Sequence, residues 1–233
     1  MDRLVLSAVV LVPLVVLMAD ARPGSAETAA EPASAPAALP APPMTPTAAG
    51  CLNELTTLGV PYRKATRKGI TIAVEVTGPI AGVTFALGDT LVLDCSLVVS
   101  LALAAPYFSA LGFDHANVAS GHSRRNVRGT SRPSKHSYGL AVDISWLRGP
   151  TIGTLRLDRD YEQGLGDGVD CIGEPVTEGG ATLKIAQCQL TTSGLFYLVL
   201  SPDYDDAHHD HFHLETRPWA DRDALRAARP AIH

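Results

Sequence analysis

Positive charge is in short supply in this 233-residue chain: 19 Lys and Arg stand against 24 Asp and Glu, a formal net charge of -5 with a pI near 5.9. No global positive field exists to hold a phosphate backbone, so no nucleic acid is expected as a partner. Aromatic residues make up only 6% and charged residues only 18%, whereas hydrophobic residues reach 46%. That balance excludes overall disorder and permits a buried core. The sequence also lacks a Gly-x-Ser-x-Gly segment, which removes one serine-nucleophile signature, and a Cys-x-x-Cys pair that would mark a thiolate metal site.

What is present begins with Met1 to Arg3, a short basic stretch, and Leu4 to Met18, an uncharged apolar run. The run is long for a core helix and short of the ~20 residues that span a bilayer. Small-x-small sites follow at Ala19-Asp20-Ala21 and Gly24-Ser25-Ala26. Residues 1–26 are therefore expected to be a signal peptide, with an uncleaved membrane tether as the alternative. Either way the rest of the chain is expected to be exported, periplasmic or extracellular. Residues 27–50 are almost all Ala, Pro, Ser and Thr without apolar periodicity, and read as a disordered linker. A single folded domain is expected over 51–233.

All four cysteines, Cys51, Cys95, Cys171 and Cys188, follow the linker, and an even count in an exported chain points to two disulfides. Their order favours Cys51 with Cys95 and Cys171 with Cys188, although three pairings are open.

Alternation at Gly69 to Val76 predicts a strand, and Thr90 to Phe108 carries a long apolar run, ending near Pro106, most of which predicts a buried helix started near Asp94 or Ser96. Val118 to His122, Leu140 to Ile144, Leu195 to Leu200 and His211 to Glu215 read as strands. Strands and helices do not alternate regularly, so the expected class is α+β: a small antiparallel sheet flanked by helices, with a zinc site on the sheet face. The Gly- and Asp-rich stretch from Leu147 to Cys188 reads as an inserted flap or hairpin. Its Asp158, Asp160 and Glu162 fail as a calcium loop, since Gln163 and Val169 occupy the positions that need Gly and Glu. A short surface helix is expected from Trp219 to Arg229.

Four of the eight histidines fall within six residues, at 208, 209, 211 and 213. On a strand, residues two apart share a face, so His211 and His213 point together while Phe212 faces the core. Upstream, His136 and Asp143 lie an odd number of residues apart, which on one straight strand would put them on opposite faces. The chain must bend between them, and Gly139 permits it. His136, Asp143 and His213 offer two imidazoles and a carboxylate, a zinc set with a fourth position left open. His211 and His208 are then placed to move a proton or to stabilise an oxyanion. His209 reads as rim, and His115 and His233 receive no role.

Ser134-x-His136-x-x-Gly139-x-Ala141-x-Asp143, followed far downstream by His211-x-His213, resembles the zinc peptidase superfamily that includes lysostaphin-type enzymes, D-Ala-D-Ala carboxypeptidases and the hedgehog signalling domain. More narrowly, Cys51, Cys95, the Arg125 segment, the Ser134 to Asp143 block and Leu198 to His213 are similar to the bacterial extensin-like C-terminal domain family. The resemblance implies His136, Asp143 and His213 as Zn2+ ligands and His211 as their catalytic neighbour. His208 matches a further active-site His of penicillin-insensitive murein endopeptidases. Where that family usually carries Tyr-x-Cys-Arg, this chain has His122-Ser123-Arg124-Arg125. Arg125 keeps the Arg position, suited to a substrate carboxylate or the oxyanion.

The expected function is therefore an exported zinc metallopeptidase, of DD-carboxypeptidase or DD-endopeptidase type, acting on peptidoglycan peptides. The alternative is a noncatalytic zinc-stabilised cell-wall-binding domain, and a structural wall protein is a third, suggested only by the linker. Tyr138 is a candidate substrate contact or a packing residue. Ser134 is a candidate substrate contact or a brace for the His136 loop. Arg124, Arg125, Arg128, Arg132 and Lys135 form a local basic run, either solvated or steering an anionic wall polymer towards the metal.

Overall fold

Asp94 decides where a strand gives way to a helix. Its carboxylate accepts from the Ser96 amide at 2.9 Å and the Ser96 hydroxyl at 2.7 Å, capping the first turn, while its second oxygen accepts from the Ile72 amide at 3.1 Å. The computed structural model describes residues 48–88 and 90–222, in which this switch joins two sheets to one apolar helix. The expected leader at 1–26 and most of the linker lie outside the described residues. Ala48 to Gly50, assigned to the linker, instead form the first turn of a helix.

In chain order the elements are α1 (Ala48–Thr57), β1 (Tyr62–Lys64), β2 (Ala73–Val76), β3 (Thr84–Ala86), β4 (Leu91–Asp94), α2 (Cys95–Ala110) and β5 (His115–Ser120). A 3-10 turn (Lys135–Tyr138) then precedes β6 (Ala141–Gly149), β7 (Gly153–Arg156), α3 (Leu157–Asp160), α4 (Glu178–Thr192), β8 (Leu198–Leu200) and β9 (Phe212–Glu215). β1, β2 and β4 form an antiparallel sheet of three strands. The larger sheet runs β3-β5-β6-β9-β8, with β7 also paired to β6, and every pairing except the parallel β3–β5 is antiparallel. The mixed α+β class is as expected.

α2 is apolar on nearly all sides, and Leu97, Val98, Val99, Leu101, Ala104 and Ala105 are fully enclosed. Such a helix has no solvent face to keep and sits at the centre of the core, beside Phe85, Phe113, Val142, Ile144 and Leu214. The helix starts at Cys95, between Asp94 and Ser96, as expected. The residues just before it, Leu91–Asp94, are strand, because they pair with β2. The helix runs past Pro106, which lies on its exposed side, to Ala110, with buried Phe108 in the last turn.

The inserted stretch also proves more regular than a flap. β6 continues to Gly149 and folds back as β7, pairing Trp146 with Arg156 and Gly149 with Gly153. The segment after α3 lies on the histidine-bearing turn: the Gln163 side-chain amide donates to the His209 carbonyl at 2.8 Å, and the Ser201 amide donates to the Gly168 carbonyl at 2.9 Å. α4 is capped by Thr177, which accepts from the Gly180 amide. At the C-terminal end, residues 219–222 are helical and the rest of the expected helix lies outside the described residues.

A disulfide joins Cys51 to Cys95 across 44 residues of sequence, pinning α1 to the first residue of α2. Cys171 and Cys188 are free thiols instead of the expected second bridge. The Cys188 thiol is pushed up to about 12 by burial and by the neighbouring Cys171 thiol, so it stays protonated at neutral pH and is a poor nucleophile for disulfide exchange. A closed loop of 44 residues corresponds to about 4 kcal/mol of denatured-state constraint. Replacing both Cys51 and Cys95 by Ala is expected to lower the unfolding free energy by about 3–4 kcal/mol in a denaturant titration. An unchanged midpoint would show that the bridge constrains nothing.

Candidate metal centre

β6 is the central strand of the site, and its register supplies the geometry. Asp143 is paired directly with His213 on β9 and with Ser120 on β5. Directly opposed residues in a sheet project to the same face with Cβ atoms roughly 5 Å apart, so the carboxylate and the imidazole meet by pairing alone. Phe212 is fully buried on the other face, as alternation requires.

His136 arrives by a different route. It sits in the 3-10 turn, capped at one end by Ser134, whose hydroxyl accepts from the His136 amide at 3.3 Å, and at the other by Gly139 in the left-handed region with φ 65°. Gly139 thus makes the bend that the odd spacing demanded. A Cβ there would lie 2.8 Å from the Asp94 backbone nitrogen, so no side chain fits. Its carbonyl accepts from that same Asp94 amide at 3.0 Å, fastening the turn to the start of α2.

Three ligand atoms converge. Asp143 Oδ1 lies 2.7 Å from His213 Nδ1 and 3.2 Å from His136 Nε2, and the two ring nitrogens are 3.3 Å apart. Ligands at the ~2.0–2.1 Å bond lengths of tetrahedral zinc lie about 3.3 Å from one another, so the donor set fits such an ion with small adjustment. All three residues are buried. Each has its remaining polar atom tied: His136 Nδ1 to the Gly121 carbonyl at 2.7 Å, His213 Nε2 to Glu215 Oε1 at 3.1 Å, and Asp143 Oδ2 to the Arg125 guanidinium at 3.2 Å. Such outer partners fix which ring nitrogen faces a metal and raise its basicity.

The electrostatics follow from burial and pairing. Burial works against the Asp143 carboxylate, yet the hydrogen bonds and charges of His136 and His213 outweigh it and hold the group well below the usual carboxylate range. Burial likewise disfavours a charged His213, but Asp143 and Glu215 outweigh it and raise the imidazole to about 9.

The adjoining turn supplies two more imidazoles. His211 Nδ1 bonds Asp210 Oδ1 at 2.7 Å, and its Nε2 lies 3.5 Å from Asp143 Oδ1. His208 Nδ1 bonds Asp205 Oδ1 at 2.6 Å, with its ring 5.2 Å from that of His211 and 5.6 Å from that of His213. Burial, aided by the charges of His213 and His211, lowers His208 below the ordinary histidine value against the pull of Asp205. His208, His211 and His213 also lie close enough to share an ion.

The other expected residues fall as follows. Arg125 is exposed and reaches the site through Asp143. Ser134 is buried and its hydroxyl accepts from the His136 amide, so it braces the loop instead of facing substrate. Tyr138 is 42% exposed, two residues from His136 at the end of the turn. His209 is exposed and bonds the Asp206 carbonyl, His115 stacks on Trp146 away from the cluster, and His233 lies outside the described residues. Glu215 and the Gly121 carbonyl had not been foreseen. The signal for Glu215 was its parity: two residues beyond His213, it shares that residue's face of β9.

Glu215→Ala is expected to weaken zinc binding 10- to 100-fold while leaving the fold intact, measured by competition with a chromogenic chelator. Unchanged affinity would show that Glu215 does not orient His213. Gly139→Ala is expected to cost about 2 kcal/mol or more in thermal or denaturant unfolding, from the left-handed backbone and the contact with Asp94.

No curated protein and no solved structure matches the sequence. Residues 50–224 match the family described as Extensin-like protein C-terminus. That span contains the disulfide, the His136 turn, both strands that carry Asp143 and His213, and the histidine turn. The chain belongs to the family of extensin-like protein C-terminal domains.

Proposed function

We propose that this protein is an exported zinc-dependent peptidase that hydrolyses D-amino-acid peptide bonds in peptidoglycan stem peptides or cross-links. The observation that carries the reading is the convergence of His136 Nε2, Asp143 Oδ1 and His213 Nδ1, each from a residue whose other polar atom is held by a second partner. Three protein ligands with one position left open are the arrangement of catalytic rather than structural zinc. The resemblance of the His136 to Asp143 and His211 to His213 blocks to the zinc peptidase superfamily supports the substrate class. The Cys51–Cys95 bridge fits an oxidising compartment, hence export.

When bound, the ion supplies Lewis acidity beside a peptide carbonyl. The remaining work belongs to the side chains. His211 and His208 form two Asp–His pairs in which Nδ1 donates to a carboxylate, leaving Nε2 to take a proton from the attacking water and return it to the departing amine. The lowered basicity of His208 keeps it neutral, and thus able to accept, at neutral pH. Arg125 binds Asp143 through one guanidinium nitrogen, leaving the rest of the fork for a substrate carboxylate or the developing oxyanion. Tyr138, exposed beside the turn, is placed to contact the peptide.

Incubating the zinc-loaded protein with defined muropeptides and reading masses tests this. Products are expected with zinc and none with a chelator or in His213→Ala. Loss of one D-Ala would identify a carboxypeptidase, and conversion of cross-linked dimers to monomers an endopeptidase. A folded, zinc-holding protein that yields no product would overturn the reading in favour of a noncatalytic, zinc-stabilised wall-binding domain. His211→Ala is expected to retain zinc and lose about 10²- to 10⁴-fold in kcat, the usual worth of a positioned acid–base group.

A further inference from the structure

The sequence from His115 to Val142 contains no Asp or Glu, and neither does Arg63 to Val74. These two acid-free stretches carry nine of the 19 Lys and Arg of an acidic chain, and the fold brings them together at one residue. Residues 125–134 form a small hairpin: the Ser134 amide donates to the Arg125 carbonyl at 3.0 Å, the Val127 amide to the Arg132 carbonyl at 2.8 Å, and Asn126 pairs with Pro133. Its base is fastened to the metal-site turn, since the Ser137 hydroxyl donates to the Arg125 carbonyl at 2.7 Å and accepts from the Arg125 amide at 2.9 Å. The second stretch approaches Ser137 as well. Gly69, with φ 98°, lies so near that a Cβ would sit 2.5 Å from the Ser137 carbonyl oxygen, which places Arg67 and Lys68 beside the same turn.

Seven cations result: Arg67, Lys68, Arg124, Arg125, Arg128, Arg132 and Lys135. All but half-buried Lys135 are exposed, and among the described residues only Arg125 of the seven has a carboxylate partner, the metal-site Asp143. Like charges gathered without counter-ions repel one another, and a net-negative protein elsewhere has carboxylates enough to intersperse. The arrangement is costly for folding and suited to an anion. Four guanidiniums among the five cations of the hairpin stretch favour planar, bidentate partners. The large exposed apolar side chains lie elsewhere, apart from Tyr138, so nothing in either stretch is built to insert into a bilayer.

We infer that the surface formed by the 125–134 hairpin and the Arg67–Lys68 loop is a docking rim for a peptide rich in carboxylates, which lies across it with one bond presented to the metal centre. This rests on the peptidase reading for its substrate and adds to it the charge that the substrate must carry. Arg125 links the two, touching the rim on one side and Asp143 on the other.

The test is fluorescence anisotropy of the zinc-loaded protein with a fluorescein-labelled deca-D-glutamate, run as a salt series. The expected result is binding that weakens steeply with ionic strength and falls tenfold or more in both Arg67→Glu/Lys68→Glu and Arg128→Glu/Arg132→Glu, with circular dichroism and zinc content unchanged. Arg128→Gln/Arg132→Gln, which removes charge without reversing it, is expected to fall between. Wild-type affinity in both reversal variants would overturn the rim, as would tighter binding of polyphosphate of equal charge or of phosphatidylglycerol vesicles. Because the readout is binding, rim-dependent capture of the peptide without any muropeptide cleavage would sink the peptidase reading and leave the rim standing. Cleavage that is indifferent to the reversals, with no peptide capture, would do the opposite.

Discussion

A carboxylate buried in the middle of a sheet is the constraint around which this molecule is arranged. Asp143 is 4% exposed on the central strand of the larger sheet, and an isolated charge there would be prohibitive. It is tolerated because every neighbouring element brings a compensating donor. β9 brings His213, the 3-10 turn brings His136, the basic hairpin brings Arg125, and the histidine turn brings His211. The β6–β9 register and the left-handed Gly139 are different ways of placing cationic or metal-binding groups around one oxygen pair. A metal ion meets the same need with a full charge, which is why the geometry that stabilises the carboxylate also suits an ion.

The centre was more legible in the sequence than the frame that holds it. His136, Asp143 and His213 could be read together because period-two alternation and a single glycine bend fix where such side chains point, whatever surrounds them. Phe212 facing the core and Asp94 starting the helix rest on equally local rules. Leu91–Asp94, ahead of that helix, could not be assigned from sequence, because a short apolar run is compatible with either state until its partner strand is known. The acidic, Gly-rich stretch concealed β7, α3 and α4 for a similar reason: its pairing with Trp146 to Gly149 and its seat on the histidine turn involve distant residues. Glu215 needed only parity, but parity draws attention to a carboxylate only once His213 is known to want a second partner.

The histidine turn shows how the inserted segment takes part in the site without touching a ligand. Its backbone carbonyl at His209 is held by Gln163, and the strand that leads into it is held by Gly168. Asp205 and Asp210 then orient His208 and His211. Imidazoles on a turn have more freedom than those on a strand, and the carboxylates and inserted backbone remove part of it. Strands and a tight turn hold His136, Asp143 and His213, and a braced turn holds His208 and His211, the groups proposed to pass protons.

The Cys51–Cys95 bridge ends one residue from Asp94, whose amide is bonded to the carbonyl of Gly139 at the close of the His136 turn. The clamp on the two helices is therefore also a clamp on the platform beneath one of the imidazoles. Bridge and His136 turn are joined by a path of only a few atoms through residues 94 and 95, so loosening α1 from α2 would be felt at the turn that carries His136.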